Sequence, residues 1–69
     1  MNVKERICKN LKQARKDKKF TQEKMGKILN MKQTIYSRYE TGKLEMNYAL
    51  MEKVCIILEI TPNDLFEIK

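Results

Sequence analysis

An all-α domain of five short helices is the fold this sequence predicts, and three observations carry the prediction. Apolar residues recur every three or four positions, capping side chains precede the apolar runs, and only two Gly and one Pro break the chain. Hydrophobic residues at 42% and charged residues at 35% provide both a core and a solvated surface. With 69 residues there is room for a single domain, residues 1–69, and little spare interior for a catalytic cleft.

The elements follow in order. Asn2 and Glu5 have the spacing of a reciprocal N-cap, and Val3, Ile7, Leu11 and Ala14 then share one face, so a first helix runs from about residue 3 to about residue 18. Lys4, Lys9, Lys12 and Lys16 fall on its solvated side. Thr21 caps a second helix, with Glu23 in its first turn and Met25, Ile28 and Leu29 as its apolar stripe. Asn30 ends that helix, because Asn tolerates the left-handed conformation better than other non-glycine residues. A third helix restarts near Lys32 or Gln33 and stops at Gly42. Asn47 caps a fourth, in which Tyr48, Met51, Val54, Cys55 and Leu58 form the stripe. Thr61-Pro62-Asn63-Asp64 opens a fifth, with Leu65, Phe66 and Ile68 as its apolar content. There is no internal repeat, low-complexity segment or long linker.

Charge is segregated along the chain. Residues 1–43 carry 13 Lys/Arg against four Asp/Glu, whereas residues 44–69 carry two against five, giving +9 and −3 within a net +6. Such a split suits a polyanion on one side, either nucleic acid or an acidic membrane surface. No apolar run reaches transmembrane length and the N-terminus lacks the apolar core of a signal peptide, so a cytoplasmic protein without a membrane partner is expected. Cys8 and Cys55 both sit in apolar helical patterns and are expected to act as small buried hydrophobes rather than as a disulfide. Without His or a third thiol no metal site is expected, and no cofactor or small-molecule ligand is evident. Lacking a Gly-rich phosphate loop and any nucleophile beside an evident base, the sequence is not expected to encode an enzyme.

The stretch LNMKQTIYSRYETG, residues 29–42, is the most informative. At 100° per residue, Tyr36, Tyr39 and Glu40 fall on one side of the third helix, and Thr34, Ser37, Arg38 and Thr41 on the other. Ile35 stands at the margin, Gln33 in the first turn, and no acidic residue lies on the outer side. A helix about 10 Å across fits the major groove of B-DNA, where Gln33 suits adenine, Arg38 suits guanine, and Thr34, Ser37 and Ile35 suit shorter contacts. The same residue types also populate ordinary solvent-facing helices. The tight turn at Asn30 favours a helix-turn-helix motif over about residues 21–41.

The run FTQEKMGKILNMKQTIYSRYETGK resembles the DNA-binding domains of the phage Cro/repressor-type (XRE-like) helix-turn-helix family. Within it Phe20-Thr21-Gln22 is similar to the family's entry to helix 2, Met25-Gly26 to its apolar-then-small pair, and Ser37-Arg38-Tyr39-Glu40-Thr41-Gly42 to its most recognisable run. Leu58-Glu59-Ile60 and Asp64-Leu65-Phe66 match its C-terminal signature, so the likeness extends from about Ile7 to Phe66. It implies a five-helix, lambda-repressor-like DNA-binding domain with the helix-turn-helix at helices 2 and 3. By position it also implies that Gln33, Thr34, Ile35 and Arg38 face base edges, and that Gln22, Lys32, Lys43 and Asn47 lie at phosphate-contacting places. Arg15 and Glu40 match a structural ion pair joining helix 1 to helix 3. Lys32 stands where the family usually has a Ser or Thr cap, so that cap is expected to shift or be lost. Tyr36 replaces a small β-branched residue, with Gly26 expected to make room for it.

The function so implied is a sequence-specific transcriptional regulator, a repressor that binds double-stranded DNA at a palindromic operator as a homodimer. Its two recognition helices would then lie roughly 34 Å apart. Leu50, Ile57, Ile60 and Ile68, apolar residues outside the core stripe, are the expected dimer interface. Two alternatives stay open: an antitoxin-like protein with a toxin partner, and a degenerate helix-turn-helix serving as a protein-interaction module. Membrane-surface binding by the basic first helix is disfavoured, because the core needs its apolar stripe.

Overall fold

Capping chemistry sets where each helix begins. In the computed structural model, which describes residues 2–66, five helices succeed one another: α1 (Val3–Asp17), α2 (Gln22–Ile28), α3 (Gln33–Thr41), α4 (Tyr48–Leu58) and α5 (Pro62–Phe66). No strand occurs among the described residues. Side-chain oxygens of Asn2, Thr21 and Asn47 accept from the amides of Glu5, Lys24 and Leu50 at 2.8, 3.0 and 2.8 Å, satisfying amides that have no partner inside the helix. Thr61 and Asp64 cap α5 reciprocally, each side chain accepting from the other's amide, at 3.2 and 2.7 Å. The all-α, five-helix expectation is thus met.

The helix ends share a single device. After each of the first four helices one residue takes the left-handed conformation: Lys19 (φ 61°), Asn30 (φ 58°), Gly42 (φ 82°) and Glu59 (φ 56°). In every case the next amide donates back to the carbonyl five residues earlier: Phe20 to Arg15, Met31 to Gly26, Lys43 to Arg38, and Ile60 to Cys55, at 2.8 to 3.1 Å. These are Schellman closures, in which a backward bond and an apolar contact offset the strain of a left-handed residue. Three of the four following residues, Phe20, Met31 and Ile60, turn inward against the core. Asn30 and Gly42 sit where the sequence predicts a stop; Lys19 and Glu59 carry no such marker.

All five helices contribute to one core, made of Leu11, Met25, Tyr36, Val54, Cys55, Leu58 and Leu65. Several expected core positions differ. Tyr48 is 90% exposed although it shares the heading of Cys55 two turns later, because the buried residues of α4 all lie in its second half. Val3 and Ile28, the first residue of α1 and the last of α2, are exposed for the same reason: the stripe runs past the end of what it packs against. Leu50, Ile57 and Ile60, placed by periodicity outside the core, are half-buried against it. The most exposed apolar side chains of the C-terminal part are instead Tyr48 and Ile56. Ile68 lies outside the described residues. Both cysteines are free; Cys55 is buried, whereas Cys8 is half-buried and its thiol donates to the Tyr39 carbonyl at 3.4 Å.

Candidate nucleic-acid interface

The outward face of α3 depends first on how the helix is mounted. The turn from α2 to α3 passes so close to Gly26 that a Cβ there would lie 2.8 Å from the Met31 carbonyl oxygen and 3.3 Å from the Gln33 nitrogen. The space that Gly26 leaves is therefore taken by turn backbone and not, as expected from the sequence, by Tyr36. Tyr36 instead fills the centre of the core, 1% exposed. Lys32 precedes α3 without a side-chain cap, so the expected loss of the cap is realised, and its carbonyl accepts from Ile35 and Tyr36 at 3.0 Å each.

An ion pair ties α3 to α1. Arg15 Nε donates to Glu40 Oε2 at 2.6 Å and Arg15 Nη2 to Oε1 at 3.3 Å, with both residues buried. The third guanidinium nitrogen, Nη1, donates to the Phe20 carbonyl at 2.7 Å, so the same arginine also holds the α1–α2 connection. Burial pushes the Glu40 carboxyl up, but hydrogen bonding from Arg15, with smaller help from the nearby Tyr36 hydroxyl dipole and the Gln22 amide, outweighs it and leaves the group below the ordinary carboxylate range. Glu40's hydrogen bond in turn raises the Arg15 guanidinium. The Tyr36 hydroxyl is buried there without a partner at full hydrogen-bonding geometry. Burial, followed by the neighbouring Glu40, pushes it far above the usual phenol range and keeps it neutral.

With α3 held from within, its outer residues can be located. Gln33, Thr34 and Arg38 are exposed, while Ile35 and Ser37 are half-buried. The Ser37 hydroxyl donates to the Thr34 carbonyl at 2.9 Å and that of Thr41 to the Arg38 carbonyl at 3.4 Å, which occupies their protons and leaves their oxygens as acceptors. Gln33 and Arg38 make no side-chain hydrogen bond within the described residues, so they remain the face's long-reaching donors.

Residues expected near phosphate divide into two groups. Lys32 and Lys43 are exposed at either end of α3, and Asn47, also exposed, uses its amide oxygen to cap α4 and keeps its amide protons. Gln22 is half-buried, and its Nε2 donates to Glu40 Oε1 at 3.1 Å, which engages one of its two amide protons. Sequence reasoning missed this link between the first residue of α2 and the ion pair beneath α3. It also missed Lys24, whose ammonium sits 4.5 Å from the Phe20 ring centroid and adds a cation at the start of α2.

Among the described residues no three His, Cys, Asp or Glu side chains are placed to hold a metal ion, and no helix is long and apolar enough to cross a membrane. A family model described as helix-turn-helix matches residues 11–65. An uncharacterized HTH-type transcriptional regulator of Bacillus subtilis, YqaE, is 36% identical over 55 residues, which cover 80% of this chain and 47% of the relative. The chain thus spans about half the length of that curated relative. No solved structure matches significantly.

Proposed function

The chain belongs to the XRE-type helix-turn-helix family of DNA-binding transcriptional regulators, and from that premise we propose that it is a sequence-specific repressor. In this reading it acts in the cytoplasm as one domain, occupies a palindromic operator as a homodimer, lays α3 in the major groove and carries out no catalytic step. Gln33 and Arg38 pair with base edges, Thr34, Ser37 and Ile35 make the shorter contacts, and Gln22, Lys32, Lys43 and Asn47 meet phosphate. Leu50, Ile57 and Ile60, half-buried on or just after α4, form the edge of the dimer contact together with Ile68.

The observation that carries the reading is the outer face of α3: two unengaged long donors and short acceptors, without an acidic side chain, on a helix anchored by buried ionic contacts. A face of that kind discriminates base pairs, whereas lysines alone would bind every sequence alike.

Selection of bound sites from a random DNA pool tests it, and a palindromic consensus is the expected result. On that consensus Arg38→Ala or Gln33→Ala should lose about 1–3 kcal/mol and relax one base preference. Lys43→Ala should weaken binding to all sequences and flatten the salt slope by about one unit. An Arg38 variant that loses equal affinity for cognate and random DNA would sink its assignment as a base reader.

A further inference from the structure

Four of the five large apolar side chains exposed among the described residues, Val3, Leu44, Tyr48 and Ile56, line two grooves that share Tyr48, Met51 and Phe66. The two grooves thus adjoin along α4. Tyr48 and Ile56 stand 90% and 69% exposed near its two ends, on the same side of the helix at i and i+8, and Glu52 lies between them at i+4, also exposed. Glu45 lines the far side of the Tyr48 groove. None of these residues is among those assigned to DNA.

We propose that this strip docks an amphipathic helix of a partner protein whose apolar face carries a lysine or arginine near its middle. The charge pattern selects such an occupant over a second copy of the chain. A two-fold pairing that sets Tyr48 against Ile56 of another copy brings Glu52 onto its own equivalent, and two like charges then meet in a contact that excludes water. A cation at that point is paired instead. The charged side chains that line the two grooves are Glu45, Glu52 and Lys4, and Lys4 lies at the α1 side of the Tyr48 groove, so α4's own exposed strip carries only the negative charge of Glu52. Two adjoining, mostly apolar grooves along α4 are a surface that the apolar face of an amphipathic helix can enter. The strip also differs from the proposed homodimer contact. Leu50 and Ile57 head away from it on the other margin of α4's outer face, and only Ile60 borders both.

Because the chain as a whole is cationic, a test can separate this strip from general electrostatics. Two fluorescent model peptides about five turns long are titrated into the full chain near physiological salt, one of Leu and Lys at helical spacing, the other with Glu in place of Lys. A net charge of +6 favours the acidic peptide in non-specific binding to the chain as a whole. Tighter binding of the basic peptide, by about tenfold, is the expected result. Glu52→Lys should reverse the preference, and Tyr48→Ser and Ile56→Ser should each weaken the basic peptide about tenfold while leaving helix content and DNA affinity unchanged. Preference for the acidic peptide, or basic-peptide binding indifferent to all three substitutions, overturns the proposal. So does self-association in sedimentation that Tyr48→Ser abolishes, since the occupant would then be a second copy. DNA affinity is read separately on the same variants, so this proposal and the regulator reading fail independently.

Discussion

Residues 2–43 and residues 44–66 of this chain solve the problem of orientation differently. The first part buries an ion pair, Arg15 with Glu40, beneath a helix whose outer face is polar. In the second, every buried side chain is apolar or a thiol, and Tyr48 and Ile56 remain in water. Apolar contact adheres without direction, whereas a guanidinium forked onto a carboxylate fixes distance and angle. The directional tie thus lies beneath the helix proposed to enter the major groove.

The strongest way to break that contrast is to strand one charge. Arg15→Ala should lower stability by about 3–5 kcal/mol in urea unfolding, because Glu40 is left buried without its partner. Replacing both residues, Arg15→Met with Glu40→Leu, should recover most of that loss while lowering DNA affinity, if direction rather than adhesion is what the pair supplies. A double variant as unstable as the single one contradicts this account.

Acid should expose the same asymmetry. Glu40 lies below its ordinary value of 4.5 in the folded chain, so its contribution is present above that value and is lost as the pH falls through the depressed folded one. Melting temperatures followed downward from pH 5 should therefore fall more steeply for the native chain than for Glu40→Gln. The Lys18–Glu59 pair, 2.8 Å long but with Glu59 exposed to water, adds little to that slope.

Two glycine exchanges give smaller effects of opposite sign. Gly26→Ala should cost about 1–3 kcal/mol, since its methyl group meets fixed backbone rather than a yielding side chain, which outweighs the gain in helix propensity. Lys19→Gly should stabilise by up to about 1 kcal/mol by relieving a left-handed lysine. Thermal unfolding of both variants settles the two signs.

Much of the fold was legible because its punctuation is local. Asn2, Thr21, Asn47 and Thr61 cap through bonds that span only three residues, and Asn30 and Gly42 favour the left-handed turn by their own chemistry. Lys19 and Glu59 have no such preference; their trace in the sequence is indirect, an apolar residue directly after the helix end. Helical periodicity gave the heading of Tyr48 but not the point at which the core stops, because burial depends on what other helices bring. The site divides similarly. The outer face of α3 follows from the helical repeat, whereas the bond from Gln22 to Glu40 joins residues 18 apart in sequence and arises only once α2 and α3 are packed.

The bare α-carbon of Gly26 has a further consequence for redesign. Its close approach to the backbone of Met31 and Gln33 places the entry to α3 through main-chain atoms rather than through the exposed side chains of Gln33, Thr34 and Arg38. If α3 reads bases as proposed, exchanging Gln33, Thr34 and Arg38 together should change the preferred sequence at little cost in folding, as long as Gly26 is kept.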